Sequence, residues 1–517
     1  MKSFYKIVFL AFVFFVVIPV AYTLFAALFF DDSLIDNIVS LNLDSIFLLT
    51  KSAIIALSIA LLSTLAGTVL GFLLYKSDIL FRGFFKILLL LPLFISPYIL
   101  AVAWKDFFSL LFNDTNYITN SVGVVLVLTT VFTPLSMLII GSALSNINSK
   151  LEETGLIITD LRNVIFKITL PLIKPALVTS FVLVFIFSIS EFSVPAFLGI
   201  KVFTTEIFTQ FSAFYNHSLA IIQSALLIVI CILLLFAEKN YISDAPFLSI
   251  SNKGTSNKIY DFKSGNWLGL ALLFSWFSIS VVIPFIVLFI QSFRNGTNKF
   301  VQAFELLLPT FGNSIALAFI GAIIIVFVGF TAAYYSSLYR ETKVVKTFDL
   351  LLLIVFAIPS IILGISLIKF YNQPILEIIY SSYAIIIIAY VGKFSFIAAK
   401  LITNAIKQIP TSLDEAAQIE GITLLTRIRK LLIPLIMPAL FVAFIISFIF
   451  NLGELGTTIM LYPPGTEIMP IKVFTIMANA PQALTSSMTL IVFTITLLII
   501  TSFYFIIKPF IKSNIND

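Results

Sequence analysis

The sequence predicts an all-α polytopic membrane protein of about twelve transmembrane helices in two parallel six-helix repeats. Three observations carry that expectation. Of 517 residues, 60% are hydrophobic and 11% charged, with mean hydropathy +1.12, whereas soluble domains carry about 25% charge. Apolar runs of the ~20 residues that cross a hydrocarbon core occur twelve times. The second half also repeats the first, at an offset of 262 or 263 residues. A β-barrel would show ~10-residue segments of alternating polarity, and runs such as Ile385-Ile386-Ile387-Ile388 do not alternate.

The first run, near 5–30, follows Lys2 and Lys6 as a secretory signal would. It is longer than a signal's apolar core, and its Val16-Val17-Ile18-Pro19 returns as Val281-Val282-Ile283-Pro284, so it is read as a helix of the mature protein. Runs near 52–75, 87–104, 121–144, 176–198 and 219–237 complete the first six. The lone Cys231 falls in the last of these, which leaves no disulfide framework or cysteine metal cluster. Residues 238–266, with Ser251-Asn252-Lys253-Gly254-Thr255-Ser256 at their centre, have the composition of a flexible linker. Runs near 267–292, 313–338, 348–370, 382–401, 438–460 and 485–508 form the second six. The expected organisation is a first transmembrane unit 1–237, a linker 238–266 and a second unit 267–517. Ser52 aligns with Ser314, Pro97 with Pro359, Glu153 with Glu415, Pro171 with Pro434 and Glu191 with Glu454. An even number of spans returns the chain to its starting side, so the repeats are parallel.

Lys and Arg are retained in short cytoplasmic loops. With the N-terminus inside, 23 of the 31 basic residues fall on the cytoplasmic side, against Lys105, Lys201, Arg294, Lys299 and Lys472 outside. Lys51, Lys369 and Lys393 lie at or inside predicted spans. Both termini are therefore expected inside. The net charge of +6 then reflects topology, and nucleic-acid binding is not implied.

Two charged islands interrupt the apolar pattern. The second reads as a short amphipathic helix, with Ser412-Leu413-Asp414-Glu415 at capping-box spacing and Gly421 suited to a helix stop. Ala416 and Ala417 between them would let a partner approach closely. Arg427, Arg429 and Lys430 then lead to Pro434, where the next membrane helix is expected to begin. The first island keeps a cap-like Ser149-Lys150-Leu151-Glu152, the acid Glu153 and the pair Pro171 and Pro175. It differs in Thr154-Gly155 for Ala-Ala and in Thr159 where glycine is expected.

At these residues the chain resembles the membrane permeases of binding-protein-dependent ABC importers, of the type I architecture. Their signature is a cytoplasmic Glu-Ala-Ala, a Gly six residues after the Glu, and a later Leu-Pro or Ile-Pro. Glu415-Ala416-Ala417, Gly421 and Ile433-Pro434 match it, and Glu153 and Leu170-Pro171 match it more loosely. The resemblance implies that Glu152, Glu153, Gly155, Pro171, Glu415, Ala416, Ala417, Gly421 and Pro434 belong to two coupling loops. These loops would dock two copies of a cytoplasmic ATPase subunit. No P-loop motif occurs in the chain, so ATP is expected on the partner and no cofactor on this chain.

Intramembrane acids are functional candidates. Glu191 and Glu454 occupy equivalent positions, each 16 residues beyond the second proline of its island. Two roles fit: lining a shared pathway or gate, or pinning the external end of a helix. The flanking Glu191-Phe192-Ser193-Val194-Pro195 and Glu454-Leu455-Gly456-Thr457-Thr458, with Tyr462-Pro463-Pro464-Gly465, look like those of ferric-iron importer permeases. That resemblance implies an extracytoplasmic solute-binding protein as a further partner and the bacterial inner membrane as location. Permeases for phosphonates, polyamines, thiamine and sulfate share the scaffold. The sole histidine, His217, is expected in an outside loop and offers no metal cluster. Twelve spans also suit a secondary transporter, which has no reason to repeat an acidic docking helix.

Overall fold

The computed structural model describes residues 2–29, 43–237, 260, 266–294, 296–338 and 342–513. Apart from one bridge between Ser77 and Tyr260, regular structure among the described residues is helical. Among the described residues ten helices are long and apolar enough to cross a membrane, or up to twelve if each of two bent pairs is one span. The first half contributes α1 (Tyr5–Phe25), α2 (Asp44–Lys76), the bent pair α3 (Arg82–Phe94) and α4 (Pro97–Phe112), and α5 (Ser121–Ser145). There follow α6 (Ser149–Ile158), α7 (Leu161–Ser190), α8 (Ser193–Leu198), α9 (Phe203–Ser212) and α10 (His217–Phe236). The second half repeats the order. It has α11 (Asn266–Phe293), α12 (Asn298–Ser337), the bent pair α13 (Lys343–Ala357) and α14 (Ser360–Tyr371), and α15 (Ala384–Ile406). Then come α16 (Thr411–Ile419), α17 (Leu424–Gly453), α18 (Thr458–Leu461), α19 (Met469–Met477) and α20 (Gln482–Phe503). Of the expected linker 238–266, only Tyr260 and Asn266 lie within the described residues.

The runs expected near 87–104 and 348–370 are not straight helices. They bend by 93° between α3 and α4 and by 108° between α13 and α14. A proline pushes the residue before it out of the helical region: Ser96 before Pro97 has ψ 134° and Ile358 before Pro359 has ψ 130°. At the second break the buried Lys393 of α15 donates to the carbonyls of Phe356 (3.2 Å) and Ile358 (2.6 Å). A cation there suits the carbonyl end of α13.

Other prolines are absorbed without a break. Four π-helical turns, Val13–Val17, Ile165–Thr169, Ser278–Val282 and Ile428–Leu432, each end two residues before a proline. A proline ring clashes with the carbonyl four residues back and offers it no N–H, and the widened turn moves that carbonyl aside. For Pro19 this is the carbonyl of Phe15, which instead accepts from Tyr371 Oη at 3.0 Å. Pro171 and Pro434 therefore do not begin helices: α7 and α17 start at Leu161 and Leu424 and run through them. The same helices stop at Ser190 and Gly453, short of the expected ends near 198 and 460.

The helices pack as two compact units, each drawing on both halves of the sequence. One comprises Met1–Asp31, Glu305–Thr475 and Ile491–Asp517, the other Asp32–Phe304 and Ile476–Leu490. In the first, Tyr5 of α1 lies 4.3 Å from the Tyr335 ring, and Phe9 and Phe12 meet Phe348 edge-on. In the second, Leu70, Leu74, Phe85 and Met137 enclose Leu273 of α11. Both units make one close helix contact at the same repeat position. A Cβ on Gly67 would lie 2.5 Å from Ser136 Cβ, and one on Gly329 would lie 2.8 Å from Ala398 Cβ. Small residues at such crossings let helix backbones touch. Cys231 is buried in the packing of α10.

Candidate functional site in two charged loops and two acid hinges

Helix α16 of the second island starts from Pro410, which stands at its N-cap with φ −58° and ψ 131° and no side-chain cap. The capping box expected at Ser412 does not form, because the proline turns the chain into the helix before Ser412 and leaves that residue inside the first turn. The far end matches expectation. Gly421 has φ +72°, its N–H bonds the Gln418 carbonyl at 2.9 Å, and Ile422 N–H bonds that of Ala417 at 3.1 Å. These are the two bonds of a Schellman stop. Glu415, Ala416 and Gly421 are exposed and Ala417 is half-buried. Ile419 is 87% exposed beside them, so the open face is apolar as well as acidic. Asp414 pairs with Arg427 at 2.9 Å, tying α16 to the start of α17.

The first island keeps the helix and changes both ends. Its cap is Asn148, whose Oδ1 accepts from Lys150 N–H at 3.1 Å, in place of the expected Ser149. Thr159 is extended (φ −147°), so the chain leaves α6 without needing a glycine. Glu152, equivalent to Asp414, is fully buried. It pairs with Lys76 at 2.6 Å and accepts from Thr169 Oγ1 at 2.9 Å. Glu153 faces out. Gly155 is buried where a Cβ would stand 2.6 Å from Ile168 Cδ1, so an alanine there would have to push that methyl aside. Pro171 and Pro434 lie exposed on the continuous helices α7 and α17. Glu153, Glu415, Ala416 and Gly421 are thus exposed, whereas Glu152 and Gly155 turn inward.

The two acids expected within the membrane, Glu191 and Glu454, stand at the ends of α7 and α17. Glu191 leaves the helix with ψ 129° and accepts from Ser193 N–H at 2.8 Å and from the Ser193 hydroxyl. Glu454 leaves with ψ 121° and accepts from Thr457 N–H at 2.8 Å and Thr458 N–H at 3.0 Å. Each carboxylate therefore caps the start of the next helical segment, where negative charge is favoured. The following helices are pinned alike: Phe203 N–H donates to Ser52 Oγ, and Met469 N–H to Ser314 Oγ, both at 2.8 Å. We expect Glu454→Ala, which strips two charge-assisted bonds, to cost about 2–3 kcal/mol. Glu454→Gln, which keeps one acceptor oxygen, should cost less, and thermal unfolding in detergent checks the order.

Several residues carry structure that sequence patterns did not single out. Lys76 counts in the sequence only as a topological charge, and its partner lies 76 residues on. Asp106, 2% exposed, accepts from Gln482 Nε2 at 2.6 Å and from the Ser486 hydroxyl. Its position just past an apolar run was the available signal. Asn451 Nδ2 reaches the Ala318 carbonyl at 3.1 Å, in the space that Gly321 leaves. His217 opens α10 with its ring 4.5 Å from Phe211. Among the described residues no group of three or more His, Cys, Asp or Glu side chains is placed to hold a metal ion.

The family model of the binding-protein-dependent transport system inner membrane component matches residues 63–243 and again residues 325–513. The chain is 25% identical to the Fe(3+)-transport system permease protein FbpB 2 of Haemophilus influenzae, over 84% of this chain and 85% of that one. It is 26% identical to the ferric transport system permease protein FbpB of Actinobacillus pleuropneumoniae, over 79% of this chain and 64% of that protein's length. A putative 2-aminoethylphosphonate transport system permease protein, PhnV of Salmonella typhimurium, is 27% identical over 28% of this chain and 54% of its own length.

Proposed function

The chain belongs to the binding-protein-dependent transport system inner membrane components, and from that premise we propose that it is the permease of an ATP-driven importer of ferric iron. An extracytoplasmic solute-binding protein delivers the ion. Two copies of a separate cytoplasmic ATPase bind and hydrolyse ATP, and this chain carries no cofactor of its own. The N- and C-termini and both islands face the cytoplasm.

The observation that carries the coupling reading is the repeated island, with Glu153 and Glu415 exposed on short helices that lead straight into α7 and α17. Closure of the ATPases presses on these helices. The Asp414–Arg427 pair hands the push to α17 and the Glu152–Thr169 contact hands it to α7. Those two helices end at Glu454 and Glu191, where the chain changes direction toward α18 and α8. Because the hinge carboxylates are engaged by backbone amides, we assign them to shaping the pathway's end and not to holding the cargo.

The ferric reading draws on relatives named for ferric iron that align over most of this chain. The 2-aminoethylphosphonate relatives align over 28% of it. We expect cells carrying the chain with its ATPase to take up radiolabelled iron, and cells lacking it to lose that uptake. Uptake that survives ATP depletion while an ion gradient remains would sink the importer reading.

A further inference from the structure

We infer that Tyr260, in the segment joining the two halves, is a positioning residue that clamps the first island onto α2 and makes it a fixed platform, while the second island stays free to move. The backbone of Tyr260 is locked to the end of α2: its N–H donates to the Lys76 carbonyl at 2.8 Å, and Asp78 N–H donates to its carbonyl at 3.1 Å. Its ring is 5% exposed and stacks on Phe72 at 6.2 Å, 11° from parallel. Burial first, and then the charge of the nearby Glu152 carboxylate, raise the pKa of its hydroxyl, so it stays a neutral phenol beside that carboxylate.

The consequence is a dry ion pair. Lys76 and Glu152 are both 0% exposed, and a pair from which water is excluded holds its geometry far more tightly than a wet one. It joins helices distant in sequence, so α6 cannot shift without breaking it. The acid at the matching position of the second island is held in a wetter pair. Asp414 is 38% exposed, and its partner Arg427 stands on α17, the helix that α16 leads into, so α16 can move together with α17.

The part of this inference that concerns coupling rests on the proposed function; the clamp does not. Amide hydrogen exchange on the full-length protein in nanodiscs tests the clamp without any ATPase. Tyr260→Ala should speed exchange across Ser149–Ile158 about tenfold, the size of a local opening made easier, and leave Thr411–Ile419 unchanged. Tyr260→Phe keeps the ring and the backbone bridge and should stay within about twofold of the parent. Unchanged exchange in Ser149–Ile158, or an equal rise in both islands, overturns the clamp. In the assembled transporter, Tyr260→Ala should also lower uptake per ATP hydrolysed. If exchange rises while that ratio holds, the clamp stands and its share in coupling is overturned.

Discussion

Gly421→Pro is expected to abolish productive uptake, by about a hundredfold or more, in a protein that still inserts and folds in the membrane. Gly421 holds φ +72°, and a proline ring fixes φ near −65°. The same change removes the N–H that bonds the Gln418 carbonyl. Together these cost about 3 kcal/mol or more, and the cost falls wholly on the exit of α16. That helix has nine residues, so its direction is set by its two ends. Losing the Schellman turn should swing the face that bears Glu415 and Ala416 away from the docking pose proposed for it. The membrane helices are spared, since no atom lies within 4 Å of where a Gly421 Cβ would stand. Gly421→Ala meets only the intrinsic penalty of a left-handed backbone, about 1–2 kcal/mol, and should lose uptake partially. Measuring uptake and ATPase rate side by side in proteoliposomes separates uncoupling from misfolding. Uptake that survives the proline would remove the second island from the coupling path.

The sequence carried the repeat unusually well because function and fold reuse the same residues in both halves. Ser52 and Ser314, aligned by offset alone, both accept the first amide of a helix that follows an acid hinge. Glu191 and Glu454 likewise close the same kind of turn. What hydropathy hid were changes of direction, because an average over ~20 residues is blind to one extended residue. Ser96 and Ile358 precede prolines and turn the chain through about a right angle while the apolar run continues. The opposite error arose at Pro434, where a proline suggested a helix start and a π turn instead carried the helix through. At Pro19 the freed carbonyl of Phe15 finds its partner in Tyr371, 356 residues away, which no local pattern reveals.

Side-chain direction within the islands was legible in principle. Residues adjacent on a helix point about 100° apart, so Glu152 and Glu153 can be turned to different surroundings. Which of them turns inward depended on Lys76 and Tyr260, contributed by distant parts of the chain. The assignment of α1 and α11 to packing units built mainly from the other half of the sequence is a tertiary outcome. It follows from which aromatic and leucine surfaces meet, and repeat alignment alone is silent on it.

Lys76→Met should be among the most damaging single changes in the protein, because it leaves the buried Glu152 carboxylate facing an apolar chain. Breaking one side of a buried pair costs about 3–5 kcal/mol, and the neutral hydroxyl of Thr169, which donates to Glu152, cannot replace the lost charge. Lys76→Met combined with Glu152→Leu removes both charges and should recover most of that loss, since apolar substitutes of similar size are often neutral or stabilising at such sites. Thermal unfolding in detergent reads the two effects directly. Uptake is expected to part company with stability in the double variant. The methionine and leucine can fill the space under Tyr260, but they impose no fixed distance between the end of α2 and α6. A stable double variant with reduced uptake per ATP would mean that the pair is kept for the pose it enforces. A double variant as unstable as Lys76→Met would mean that the charges themselves hold the first island together, and that its placement follows from stability alone.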